Sequence, residues 1–203
     1  MADDSAPNRR ARMARPDRRA EIAGAAMRCL RQHGYAALTA RKVAQEAGLS
    51  LGHLTYSFAD MDELLAEAYR LASDELRRTT AQGLVAAGDD PWARLVHFLR
   101  GGFTPEILDP GYLRMRVDLW SAALAHPGIA ATERALYDRY RAQLEDLLRG
   151  CAARGRDVAV GPLTDAIMAL LDGLWLDVLR RGDRASVDHG LQACVDLARM
   201  RLA

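Results

Sequence analysis

The residues with catalytic potential in this 203-residue chain are poorly arranged for catalysis. Five histidines (His33, His53, His97, His126, His189) show neither metal-ligand spacing nor a triad-like setting. The three cysteines, Cys29, Cys151 and Cys194, also lack metal spacing and fall in helix-like segments, as buried reduced thiols do. Gly101 and Gly102 precede no lysine that would make a phosphate-binding loop, and the acidic pairs Asp62, Glu63 and Asp89, Asp90 read as helix starts. No catalytic residue, metal ligand or cofactor is expected. The chemistry that does emerge is recognition. Ser50, Leu51, Gly52, His53, Thr55 and Tyr56 bring hydroxyls, an imidazole, a bare backbone and an apolar contact into seven residues. Such groups suit phosphates, base edges and thymine methyls.

Those groups need a short rigid helix beneath them. Thr39 can cap a helix from about Ala40 to Ala47, with Leu38 and Val43 as its hydrophobic staple. Ser50 can cap a second from Leu51 to Tyr56, with Leu49 and Leu54 in the same relation. Ala44 is small where the two should touch, and Gly48 suits a left-handed turn. The stretch from Thr39 to Phe58 therefore reads as a helix-turn-helix. Thr39, Arg41 and Lys42, at the first helix's start, can hold phosphate beside its free amides. The competing reading is an all-α protein-interaction module whose head binds protein instead of DNA.

Charge follows the same division. Residues 1–59 carry ten Arg or Lys against five Asp or Glu, whereas residues 60–203 carry eighteen against twenty-two. A basic head on an acidic body fits a polyanion met by the head alone. Helical spacing extends over the rest of the chain, with segments expected at 17–33, from Asp60 towards Leu84, and at 91–101, 112–125, 129–153, 162–181 and 185–201. Leu113 to Leu119 alternates as a strand would, but Leu113, Val117, Trp120 and Leu124 align at helical spacing. The expected fold is all-α, about nine helices. It divides into a mobile basic arm (1–16), a helix-turn-helix domain (17–60) and an effector and dimerisation domain (61–203). No apolar run approaches the ~20 residues of a membrane span, and the amino terminus lacks a signal-peptide core. A cytoplasmic protein is expected.

Residues 18–65 closely resemble the amino-terminal domain of TetR-type transcriptional repressors. The resemblance rests on Gly34 and Tyr35, on Leu38 to Arg41, and on Val43, Ala44 and Ala47 to Ser50. Gly52, Leu54, Tyr56, Phe58, Leu64 and Leu65 complete it. It implies a homodimer of nine or ten helices per subunit, reading a palindromic operator and released by a small effector bound in the second domain. Two positions depart from the pattern. Ser57 stands where members often have His, and Met61 where they usually have a phosphate-touching Lys. The arginines of the arm (Arg9, Arg10, Arg12, Arg15) could replace that contact from an adjacent groove.

The carboxy-terminal part more weakly resembles the choline-responsive BetI subgroup, through Trp120 to Leu124, Pro127, Tyr137, Tyr140, Arg141 and Asp172 to Trp175. The segment Ala166–Leu179 is apolar nearly all round and must be covered on most sides. Its Ile167, Leu170, Leu171, Leu174 and Val178, with the stripe Leu136, Tyr140, Leu144 and Leu147, suggest a four-helix dimer interface. Trp92, Met115, Asp118, Trp120, Tyr137, Met168, Asp172 and Trp175 are the pocket candidates. Aromatic faces near a carboxylate would suit a choline-like ligand.

Overall fold

Short polar caps and glycine or proline breaks cut the chain into helices. The computed structural model describes residues 15–153 and 158–202. The expected arm falls outside the described residues up to position 14, Arg9, Arg10 and Arg12 included. Among the described residues there is no strand, and the helices are α1 (Arg15–His33), α2 (Ala40–Glu46), α3 (Leu51–Ser57), α4 (Met61–Ala86) and α5 (Pro91–Gly101). They continue with α6 (Pro110–Ala123), α7 (Pro127–Cys151), α8 (Val160–Arg181) and α9 (Ala185–Leu202). One 3-10 turn, Tyr35–Ala37, lies between α1 and α2.

The stops and starts have local causes. Gly34, at φ 75°, ends α1 with its N–H on the Leu30 carbonyl at 2.9 Å. Thr39 Oγ1 accepts from Lys42 N at 3.3 Å and Ser50 Oγ from His53 N at 3.4 Å, so each short helix has its expected cap. Asp60 Oδ1 accepts from Glu63 N at 2.8 Å, while Glu63 Oε2 reaches back to Ala59 N at 2.7 Å. Asp90 and Asp109 cap α5 and α6 ahead of Pro91 and Pro110. α6 thus begins two residues earlier than the spacing predicts. The alternating stretch Leu113 to Leu119 is helix. Leu124, aligned by spacing with Leu113, Val117 and Trp120, is 90% exposed just past the end of α6; the covered face carries Leu113, Met115, Arg116 and Leu119.

Two apolar cores result. The smaller joins Ile22 and Ala26 of α1 to Val43 and Ala44 of α2, Leu54 of α3 and Phe58. The larger fills the space among α4 to α9 with Phe98, Leu99, Tyr112, Leu119, Leu144 and Ile167. α4 serves both, giving Leu64 and Ala68 to the first and Leu65, Tyr69, Ala72 and Leu76 to the second. One continuous helix therefore ties the head to the body.

Candidate nucleic-acid interface and ligand cavity

The small core holds α3 by its inward Leu54, and apart from the buried Ser57 the rest of that helix faces out. Thr39, Arg41, Lys42, Ser50, Leu51, Gly52, His53, Thr55 and Tyr56 are all exposed. Tyr56 is 73% exposed, high for an aromatic side chain. Several polar groups here are held ready by local bonds. Ser50 Oγ meets His53 Nδ1 at 3.0 Å, Thr55 Oγ1 donates to the Gly52 carbonyl at 3.2 Å, and Lys42 Nζ donates to the Ala37 carbonyl at 2.9 Å. Gly48 turns between the helices at φ 66°, the left-handed value that glycine adopts without strain.

Arg19 of α1 was not singled out by the sequence reading, because its role depends on packing. Its guanidinium lies 4.1 Å from the Phe58 ring centroid, donates to the Ser57 carbonyl and pairs with Glu63 Oε1 at 2.8 Å. It clamps the end of α3 to the start of α4. Ser57 is buried and donates to the His53 carbonyl at 2.8 Å, and Met61 packs on the small core. Both departures from the family pattern are thus side chains turned into the fold.

A second set of bonds joins head to body. Tyr35 N donates to Asp118 Oδ2 at 2.8 Å, and Tyr35 Oη lies 3.1 Å from His126 Nε2. His126 Nδ1 is in turn 3.0 Å from Asp62 Oδ2 at the start of α4. Arg31 of α1 pairs with Asp109 at 3.3 Å.

Between α4, α6, α7 and α8 the body holds a partly open cavity of about 450 Å³. Five of the eight pocket candidates line it: Trp120, Tyr137, Met168, Asp172 and Trp175. The other three do not. Asp118 is two residues from Arg116, a rotation of about 200° on a helix, so it points away and serves Tyr35. Met115 is wholly enclosed in the core, and Trp92 lies beneath the Arg199 guanidinium at 5.6 Å. Trp120 and Trp175 stack with centroids 5.8 Å apart, and Trp175 Nε1 donates to the Gly102 carbonyl at 2.8 Å.

The sequence reading missed Arg116, Glu133 and Tyr69, which also line the cavity. Arg116, one turn before Trp120, could have been found by carrying the tryptophan's face back four positions. Burial pushes the Asp172 carboxyl up to about 6; Arg116 opposes this and Glu133 adds to it. Burial likewise raises Glu133 and drives the Tyr69 hydroxyl up to about 12.

The expected dimer residues divide. Leu144 and Ile167 are fully covered within one chain, and Leu171 and Val178 nearly so. Leu136, Tyr140 and Leu171 line the cavity, and Leu147 is half-buried against the core. These side chains are spent on the chain's own interior, since an all-round apolar helix packs most of its faces at home. The outward face of α8 instead shows Ala166, Ala169, Leu170 and Gly173, with Leu174 at its edge. All three cysteines are free and buried, and burial raises each thiol. Among the described residues, no three His, Cys, Asp or Glu side chains gather as a metal site. None of the described helices is long and apolar enough to cross a membrane.

An exposed recognition helix on a three-helix head, joined by one helix to an enclosed body, defines a helix-turn-helix regulator. Residues 22–68 match the family of bacterial regulatory proteins, tetR family, and residues 91–203 match the BetI-type transcriptional repressor, C-terminal domain. The chain is 31% identical over 169 residues to the HTH-type transcriptional regulator BetI of Stenotrophomonas maltophilia, spanning 79% of this chain and 81% of that protein. A crystal structure described as a transcriptional regulator from Pseudomonas aeruginosa superimposes with a TM-score of 0.83 at 28% identity, over 96% of this chain and 95% of that one. Another, from Saccharomonospora viridis in complex with choline, gives 0.77 at 26%, over 91% and 96%. The chain belongs to the TetR family of transcriptional regulators and carries its DNA-binding head and ligand-binding body. The reading as an interaction module is set aside.

Proposed function

We propose that the protein is a repressor that grips a palindromic operator as a homodimer and lets go when a small molecule fills the cavity. The observation that carries this is the double use of α4. Its Leu64 and Ala68 are built into the head, while Tyr69, the next residue, and Leu76 and Arg77, about two turns on, belong to the cavity wall or the core beside it. A ligand that prefers a different seating of α4 must move the head with it.

In the bound state the two copies of α3 sit about one duplex turn apart, ~34 Å, in successive major grooves. Ser50, Leu51, Gly52, His53, Thr55 and Tyr56 meet base edges and phosphates, and Thr39, Arg41 and Lys42 hold phosphate. The partner subunit packs on the outward face of α8, where Ala166, Ala169 and Gly173 permit close approach and Leu170 supplies an exposed apolar side chain. A ~100-fold release requires about 2.7 kcal/mol of differential binding per dimer. Work on chromosomal DNA implies a cytoplasmic protein. The choline complex of the S. viridis protein and the lining Trp120, Tyr137 and Asp172 favour a choline-like effector; the positive charge of Arg116 in the same wall opposes it.

The test is a footprint on the promoters flanking the gene, with sedimentation of the free protein. A protected palindrome, lost as salt rises, and a species of twice the 22.3 kDa chain mass support the proposal. A monomer at micromolar concentration, or no protection on any fragment, defeats it.

A further inference from the structure

If the cavity is the effector site, its fixed charges define the kind of molecule it holds. Arg116 is 7% exposed and stands in the cavity wall. Its guanidinium stays protonated at any working pH, and a buried charge needs a partner of opposite sign or a full set of hydrogen bonds. Among the described residues it has neither. Nη1 donates to Ser73 Oγ at 2.9 Å, Nε has no partner, and Arg116 forms no ion pair. Asp172 and Glu133 feel its field without touching it, and burial favours the neutral form of both. The wall thus contains a permanent cation that neither acid meets in an ion pair.

The aromatic faces lead to the same conclusion. A quaternary ammonium is held by lying over electron-rich rings. Here the Arg116 guanidinium already lies 4.8 Å from the Tyr69 centroid and 5.4 Å from that of Trp175. Trp175 is further covered by Trp120 at 5.8 Å and Phe103 at 6.2 Å, and is only 7% exposed. The protein's own cation takes the place that a ligand cation would seek. Arg134 and Arg139 add positive charge to the lining, while Arg77 is paired with Asp74 at 3.3 Å. The volume, about 450 Å³, is that of a site for a molecule with a sizeable body.

We propose that the cavity takes an organic anion, its compact carboxylate or sulfonate head paired with Arg116 and its apolar body against Trp120, Leu136, Tyr137 and Met168. This rests on the cavity being the effector site, and the two ideas can fail separately.

A matched pair of dyes provides the test. 8-Anilinonaphthalene-1-sulfonate and N-phenyl-1-naphthylamine share one aromatic body and differ by the sulfonate. Both brighten in apolar surroundings and can be excited through tryptophan, and Trp120 and Trp175 line this cavity. The full-length protein should bind the sulfonate about tenfold more tightly than the neutral dye, the worth of one charge-assisted hydrogen-bonded contact. Arg116→Met should erase the preference and Arg116→Lys should keep part of it. Arg116→Gln repeats the neutral variant should the methionine protein fail to fold. Equal binding of the two dyes to the wild type, or a preference that survives loss of the Arg116 charge, overturns the organic-anion assignment and leaves the cavity standing as a site. Failure of both dyes to bind overturns the cavity reading, and the assignment with it.

Discussion

The head and the cavity are built on opposite plans. In the head, each short helix of the recognition hairpin starts on a cap three positions from its donor, Thr39 with Lys42 and Ser50 with His53. In the cavity, Tyr69, Arg116, Tyr137 and Trp175 come from four different helices and meet only when all of them have packed. The head presents its functional groups to solvent, whereas the cavity buries Arg116 and Trp175 and, by burial, shifts the chemistry of Asp172. Asp172 titrates high because it is buried, whereas Ser50, His53 and Thr55 at the surface of α3 are held by bonds within their own turn.

The largest test of this division is Leu54→Ala. Leu54 is 3% exposed and is the inward anchor of α3 in the small core. Truncating a buried leucine costs about 3 kcal/mol, which should strip the protein of operator binding while the cavity still binds the naphthalene dyes. Thermal unfolding and dye titration on the same sample check it. Parallel loss of both functions would show that head and cavity are a single cooperative unit.

The next effect belongs to the cavity. The Asp172 carboxyl has an ordinary value of 3.8 and titrates at about 6 in the folded chain. Between those values the folded state holds a proton that the unfolded state has released, so stability falls as pH rises from about 4 to about 6 and then levels. Burial is the main cause; Glu133 on α7 adds to it, and Arg116 on α6 opposes it. Asp172→Asn should therefore stabilise the protein by on the order of 2 kcal/mol at pH 8, a gain that shrinks towards zero near pH 4. Denaturant midpoints measured across that range decide it. A gain that does not vary with pH would mean that Asp172 is solvated in the folded chain.

That contrast explains what could be read from the residues in advance. Caps, staples and Gly48 announce a helix-turn-helix because their meaning is local, and the helices were legible for the same reason, though α6, α7 and α8 each start two residues before the expected position. Arg116 was not legible, since arginines are mostly exposed and nothing in the chain marks this one as enclosed. Asp118 and Trp92 were chosen by residue type, but Asp118 lies on the wrong face of α6 and Trp92 at the start of α5, under Arg199. The all-apolar stretch of α8 correctly required cover on most sides. Which sides its own chain would cover depended on α7 and α9, and no spacing within α8 records that.

Smaller effects should separate affinity from its release. Lys42→Ala and Arg41→Ala should each weaken operator binding by about 1 kcal/mol at moderate salt and lower the salt slope by about one unit. Tyr56→Ala should cost a similar amount but depend on the base sequence, since its ring is the most exposed apolar surface of α3. Titrations at several salt concentrations, on the operator and on a scrambled duplex, distinguish the two. An unchanged slope in the cation variants would remove Arg41 and Lys42 from the phosphate contacts.

The smallest effect lies where the two regions meet. Tyr35 touches Asp118 through its backbone and His126 through its hydroxyl, and His126 touches Asp62 at the start of α4. None of these groups faces the cavity or the exposed side of α3, so Tyr35→Phe and Asp118→Ala should leave dye affinity and ligand-free operator affinity nearly intact. What they should alter is the ratio of operator affinities with and without a cavity ligand. Losing one hydrogen bond of this kind is worth about 1 kcal/mol, enough to narrow that ratio about fivefold. If operator affinity falls equally in both conditions, the bonds merely hold Tyr35 in place. If only the ratio changes, movement of α4 reaches the head partly through the α6–α7 corner, and helix continuity alone does not account for the coupling.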